Sequence, residues 1–225
     1  MNQDNDLSTP TADLAAERQL FGGRPVINFK DEDQRRKFLR AAVVVGFGST
    51  FVAASRHDKV ALADATANDL EILNYALTLE YLEADFYRRG LKADILSGRT
   101  LELVKPISEH EDQHVTTLTS VVKDGGGKAA AQPKFTYPSG TFKSKDTFLK
   151  TASVFEELGV TAYHGQVARI NDGAYLAAAA SIAGVESRHA AIIADLIGGN
   201  PFPAPFEKRA SMSTVLKAAG SFIDS

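Results

Sequence analysis

Apolar residues recur at helical spacing in four stretches of this chain, and polar or glycine-rich breaks separate them. The first stretch opens at Asn68, where Glu71 three residues on suits a capping box. Its apolar stripe is Leu70, Leu73, Leu77, Ala84, Tyr87 and Leu91. The second opens near Pro106, a good first-turn residue, and carries Ile107, Val115, Leu118 and Val122 before Gly125-Gly126-Gly127 stops it. Asp94 to Lys105 is expected to be a separate short helix, because a proline inside a continuous helix loses a hydrogen bond and clashes with the preceding turn. The third opens near Ser144 or Asp146 and runs through Phe148, Ala152, Phe155, Val160, Tyr163, Val167 and Ile170 to Asn171-Asp172-Gly173. The fourth, Ala174 to Ile197, is rich in alanine, with Leu176, Ile182, Val185, Ile192, Ile193 and Leu196, and ends at Gly198-Gly199-Asn200-Pro201.

Residues 128–143 hold Pro133, Pro138 and Gly140 and read as one long connection between the second and third helices. A proline-rich tail fills the start of 201–225, and a short helix is expected over Ser213 to Phe222. No strand run and no solenoid repeat is visible. The expected fold is all-α: a four-helix bundle over residues 64–200 with one long crossover, plus the short C-terminal helix.

Residues 1–63 are different in kind. Up to residue 34 they are polar and lack periodicity; then come Arg35-Arg36-Lys37-Phe38-Leu39-Arg40 and a mild apolar run from Ala41 to Ala54. Ala61-Leu62-Ala63 offers the small-x-small pattern of a signal-peptidase site. The paired arginines followed by Phe-Leu and a basic residue resemble a twin-arginine export signal, whose substrates cross the membrane folded, often with a metal already in place. The apolar run is too short for the ~20 residues that span a bilayer, so no stable span is expected in the mature chain. The expected location is periplasmic or in the cell envelope.

The chain has 225 residues, a formal charge of -3 and no cysteine. The missing cysteine excludes disulfide scaffolds, thiolate metal sites, iron–sulfur clusters and thiol nucleophiles. A pI near 6.0 without a long basic run argues against nucleic acid as a partner.

The chemistry lies in the polar residues that interrupt the apolar stripes. On the second helix the stripe passes through Ile107, Glu111, His114 and Leu118, and on the fourth through Ile182, Glu186, His189 and Ile193. Both carry Glu-x-x-His, one turn apart on the buried face. With 12 Glu and five His in 225 residues, chance spacing gives about 0.3 such pairs. The first and third helices each add a glutamate to their stripes, Glu80 and Glu156. Burying a glutamate costs several kcal/mol unless it is paired or bound to a metal. Glutamates from two helices and Glu-x-x-His from the other two make the ligand set of a bundle-borne dinuclear metal site. Carboxylates bridge two cations and each imidazole holds one of them. Four carboxylates also balance two divalent ions, so the core need hold no net charge.

The segments Leu79-Glu80-Tyr81-Leu82-Glu83-Ala84-Asp85-Phe86-Tyr87, Glu111-Asp112-Gln113-His114, Phe155-Glu156-Glu157-Leu158-Gly159-Val160-Thr161-Ala162-Tyr163 and Val185-Glu186-Ser187-Arg188-His189 resemble the ferritin-like superfamily. More narrowly they resemble its exported, desiccation-related branch, over about residues 66–200. The resemblance implies ferritin-like connectivity, with Glu80, Glu111, His114, Glu156, Glu186 and His189 as ligands of two iron or manganese ions.

Neighbouring residues compete for some of these places. Glu83 also lies on an apolar stripe one turn from Glu80; the offset to Tyr87 found in the family favours Glu80. Glu157 competes with Glu156, and the Glu-x-x-Gly spacing to Gly159 favours Glu156. His110 falls on the polar stripe with Gln113 and Thr117, which points to a solvated place or one behind the ligands. His164 reads as a surface or interface residue. Tyr87 and Tyr163 are either partners of ligating carboxylates or ordinary core aromatics.

The expected function is oxygen- or peroxide-linked redox chemistry in stress protection, of a ferroxidase, peroxidase or manganese-catalase kind, with a small oxidant as the reacting partner. The competing expectation is a desiccation or envelope protein, self-associating or bound to an envelope partner, in which the metal only stabilises the bundle.

Overall fold

Residues 67–224 are the part of the chain described by the structure, a computed structural model. Four long helices carry it: α1 (Ala67–Lys92), α2 (Gly98–Asp124), α3 (Lys145–Gln166) and α4 (Gly173–Leu196). A short helix, α5 (Met212–Ala219), follows the proline-rich tail. No strand occurs among the described residues, where a single antiparallel bridge joins Phe135 to Ile223. No helix among them is long and apolar enough to cross a membrane. The twin-arginine segment and the expected cleavage site lie outside the described residues.

Local chemistry sets most helix ends. Gly125 and Gly126 donate back to the Val121 and Lys123 carbonyls, both at 3.0 Å, and Gly126 takes φ 76, so the glycine run stops α2. Ser144 caps α3, its hydroxyl accepting from the Thr147 N–H at 3.2 Å. Asp172 caps α4, accepting from Ala174 and Tyr175 at 2.7 and 3.2 Å.

Several boundaries differ from the sequence expectation. Asp94 to Lys105 is not a separate helix: α2 starts at Gly98 and carries Pro106 inside it. Thr100, Val104, Ile107 and Ser108 are buried on either side of the proline, and this packing holds the turn despite the lost hydrogen bond. Asn68 does not open a capping box, because Ala67 is already helical; the Asn68 amide donates to the Arg169 carbonyl at 2.9 Å. Helix α3 stops at Gln166, and Val167–Arg169 form a 3-10 turn instead of a last α turn. Helix α5 ends at Ala219, short of Phe222, whose carbonyl accepts from the Thr136 N–H in the crossover at 2.9 Å.

Two apolar clusters fill the bundle. One gathers Leu82, Phe86, Phe148, Phe155 and Ile193, with Phe86 stacked on Phe148 at 4.7 Å between ring centroids. The other gathers Leu73, Leu77, Leu118, Val122, Tyr163 and Ile182. Helices α1 and α4 therefore run from the second cluster to the first, while α2 and α3 run the other way. Residues 125–144 lead from the end of α2 back to the opposite end of the bundle, where α3 begins. This is the one-crossover connectivity. On every long helix the glutamate picked from sequence falls between the two clusters, so the bundle's waist is polar while its ends are greasy.

Candidate metal centre

Each long helix brings one glutamate to the waist, and Glu80, Glu111, Glu156 and Glu186 have no exposed surface. His114 and His189 follow their glutamates by one turn, so their rings join the same chamber, 8% and 2% exposed. All six residues proposed from sequence come together here, in two overlapping groups. Glu80, Glu111, His114 and Glu186 form one; Glu111, Glu156, Glu186 and His189 form the other. Within each group the potential ligand atoms lie within 4.8 Å of one another. Glu111 and Glu186 belong to both, as bridging carboxylates would, while Glu80 with His114 and Glu156 with His189 mark the two ends.

The distances have the character of a site built around cations. His114 Nδ1 stands 3.1 Å from Glu80, 3.2 Å from Glu111 and 3.0 Å from Glu186. His189 Nδ1 stands 2.9 Å from Glu111 and 3.6 Å from Glu156. Yet Glu111 Oε1, Glu156 Oε2, both Glu186 oxygens and His189 Nδ1 make no hydrogen bond, although fully buried. Buried polar atoms are ordinarily satisfied. Oxygen and imidazole atoms that converge in this way could hold metal ions.

Electrostatics point the same way. Burial, reinforced by the neighbouring carboxylates, pushes Glu186 well above the usual carboxylate range. Burial also pushes Glu111 up to about 7, against the opposing pull of the His114 and His189 rings beside it. Burial acts on Glu80 too, but the charge of His114 and hydrogen bonds from it outweigh that and hold Glu80 low. Burial alone would depress His189; the Glu111 and Glu156 carboxylates lying close to its Nδ1 instead raise it to about 11. His114 is likewise raised, the Glu80 charge overcoming burial. Without metal, protons held between imidazole and carboxylate take over the work of a cation.

A layer of further side chains lies behind these residues. The Tyr163 hydroxyl donates to Glu80 Oε1 and the Tyr87 hydroxyl to Glu156 Oε1, so both tyrosines hold an end carboxylate. Glu157 is exposed and takes no part. His110 is exposed, yet its Nδ1 meets His189 Nε2 at 2.9 Å with the rings stacked at 11°. That contact turns the other nitrogen of His189 toward the carboxylates. His164, half-buried, lies outside both groups.

Glu83, which the sequence ranks below Glu80, lies against the same chamber. It is 3% exposed, and burial, reinforced by the four other glutamates, raises its carboxyl well above the usual range. A Cβ at Gly159 would sit 3.1 Å from both Glu83 Oε1 and Glu186 Oε2, so the glycine makes room for this fifth carboxyl group. Its stripe was as apolar as that of Glu80, which was the available signal.

A comparison with curated proteins returned no match. A family model described as the ferritin-like domain matches residues 68–199, more than half of the chain, and takes in all four long helices and both Glu-x-x-His pairs. On that match, with this connectivity and this waist of buried glutamate and histidine, the chain belongs to the ferritin-like domain family.

Proposed function

We propose that this chain is a dinuclear metalloprotein. Glu80 with His114 and Glu156 with His189 would hold one ion each, and Glu111 with Glu186 would bridge them. The reading is carried by one observation: two four-residue groups share two carboxylates, and five of their fully buried donor atoms have no hydrogen-bond partner. Two divalent ions of iron or manganese would supply one-electron redox steps with oxygen or peroxide as the oxidant. The residues' own part is to balance charge between the two apolar clusters and hold the end carboxylates through Tyr87 and Tyr163. A role in stress protection outside the cytoplasm, reached through the twin-arginine segment, is the physiological setting that the sequence supports.

Elemental analysis of protein purified from its native compartment tests this directly, with two transition-metal ions expected per chain. Less than half an equivalent after careful purification sinks the reading. The competing function, a bundle that metal merely stabilises, gains if the loaded protein turns over peroxide and ferrous ion no faster than Glu186→Ala.

A further inference from the structure

A cavity of about 350 Å³ opens between α2 and α4 and reaches the metal centre from its nitrogen side, where His114 and His189 form its floor. It is far larger than dioxygen or peroxide needs, since one water claims only about 30 Å³ of liquid. Its size falls within the range of small-molecule sites, roughly 300–1,000 Å³. Leu103 and Ile107 from α2 face Val185 and Ile192 from α4 along its walls. Two side chains of another kind line it as well, His110 and Arg188, both reaching solvent.

Arg188 is the informative one. The other arginines on the long helices are paired: Arg88 with Asp112 at 3.6 Å, Arg89 with Asp85 at 2.8 Å and Arg99 with Asp195 at 2.7 Å. Among the described residues Arg188 has neither an ion pair nor a hydrogen bond. A guanidinium left without a carboxylate at the edge of an apolar cavity is a ready partner for a ligand's carboxylate, which it can grip with two parallel hydrogen bonds. The ring of His110, which lines the same cavity, is already tied to His189 at 2.9 Å.

We infer that this cavity binds an organic monocarboxylic acid with an apolar body: the carboxylate on Arg188, the hydrocarbon or aromatic part between α2 and α4, its far end toward His114 and His189. As a substrate site this rests on the dinuclear reading, because only a loaded centre gives the acid a reason to lie there. As a binding site it does not.

Calorimetric titration of the metal-loaded full chain with 4-phenylbutyrate, and with the neutral 4-phenylbutanamide, tests it. The acid should bind at least tenfold more tightly than the amide. Arg188→Gln, a change at an exposed position, should abolish that preference while leaving the amide's affinity alone. Val185→Trp should remove binding of both with the metal content unchanged. Absence of acid binding by folded wild-type protein overturns the inference, and so does a preference that survives Arg188→Gln. Metal content is counted in the same samples, so the two readings separate. Loaded protein that ignores the acid refutes this inference alone, and protein that binds the acid but takes up no metal on loading refutes the dinuclear reading alone.

Discussion

His189 Nε2 lies 2.9 Å from His110 Nδ1, a contact that ties a residue at the heart of the site to one on the surface of the neighbouring helix. His189 Nδ1 faces Glu111 and Glu156; with a cation held at Nδ1, the ring proton would sit on Nε2 and point at His110. Outer partners of this kind typically govern metal affinity by 10–100-fold. His110→Ala is therefore expected to weaken one of two sites by about that factor and to spare the site built on His114. Titration with a competing chelator should turn two similar affinities into one tight and one weak. Two affinities still alike would refute the contact's role.

The buried charges predict an unusual pH dependence for the metal-free protein. Glu111 is raised from 4.5 to about 7 and His189 from 6.5 to about 11. In both, the folded chain binds more protons than the unfolded one across the interval. Stability from these groups is thus complete below their unfolded values and is lost as pH climbs through the folded ones. For Glu111 the loss is on the order of 3 kcal/mol. Metal binding needs the carboxylates ionised and the imidazoles neutral, so metal affinity grows with pH. The melting temperature of metal-free protein should fall from pH 5 to pH 9, and the gap to the loaded protein should widen. Calorimetry of both forms checks the two trends, and a metal-free melting temperature that rises across this interval contradicts the buried-proton account.

Glu83 supplies a separate test of the charge balance. Five carboxyl groups share the chamber, one more than two divalent ions cancel. Glu83→Gln keeps the shape and removes one ionisable group. It should raise the melting temperature of metal-free protein at pH 8 by several degrees and leave two metals per chain. A drop to one metal would make Glu83 a ligand and not a neighbour.

How far the sequence could carry this site depended on what each residue's signal was about. The Glu-x-x-His pairs were legible because a helix fixes which residues lie one turn apart, and apolar flanks at Ile107, Leu118, Ile182 and Ile193 say which face is inside. Periodicity does not rank Glu80 and Glu83, since both lie on buried stripes, and the difference lies in their partners: Glu80 meets His114 and Tyr163, whereas Glu83 lies against Gly159. His110 was placed correctly on the outer stripe, but a ring that leans across to another helix leaves no trace in its own helix's pattern. Pro106 misled because its local cost was weighed alone, whereas buried neighbours on both sides hold the helix through it. The cavity belongs to two helices at once and is invisible to any one of them.

One buried aspartate outside the site makes the last prediction. Asp69 has no exposed surface, and its carboxylate accepts from the backbone N–H of Asn171 at 3.0 Å and of Asp172 at 2.9 Å. It thereby fastens the start of α1 to the turn that leads into α4, the same turn whose Asp172 caps that helix. Asp69→Ala leaves two backbone donors facing an apolar side chain. The cost should be about 3 kcal/mol, as for hydrogen bonds to a charged partner. For a protein of this size that corresponds to a melting temperature lower by roughly 6–12 °C. The candidate metal centre lies further along the bundle, at Glu80 and beyond, so metal stoichiometry should not change. A normal melting temperature would show that the clamp is dispensable, and a lost metal would show that the helix ends and the waist are one cooperative unit.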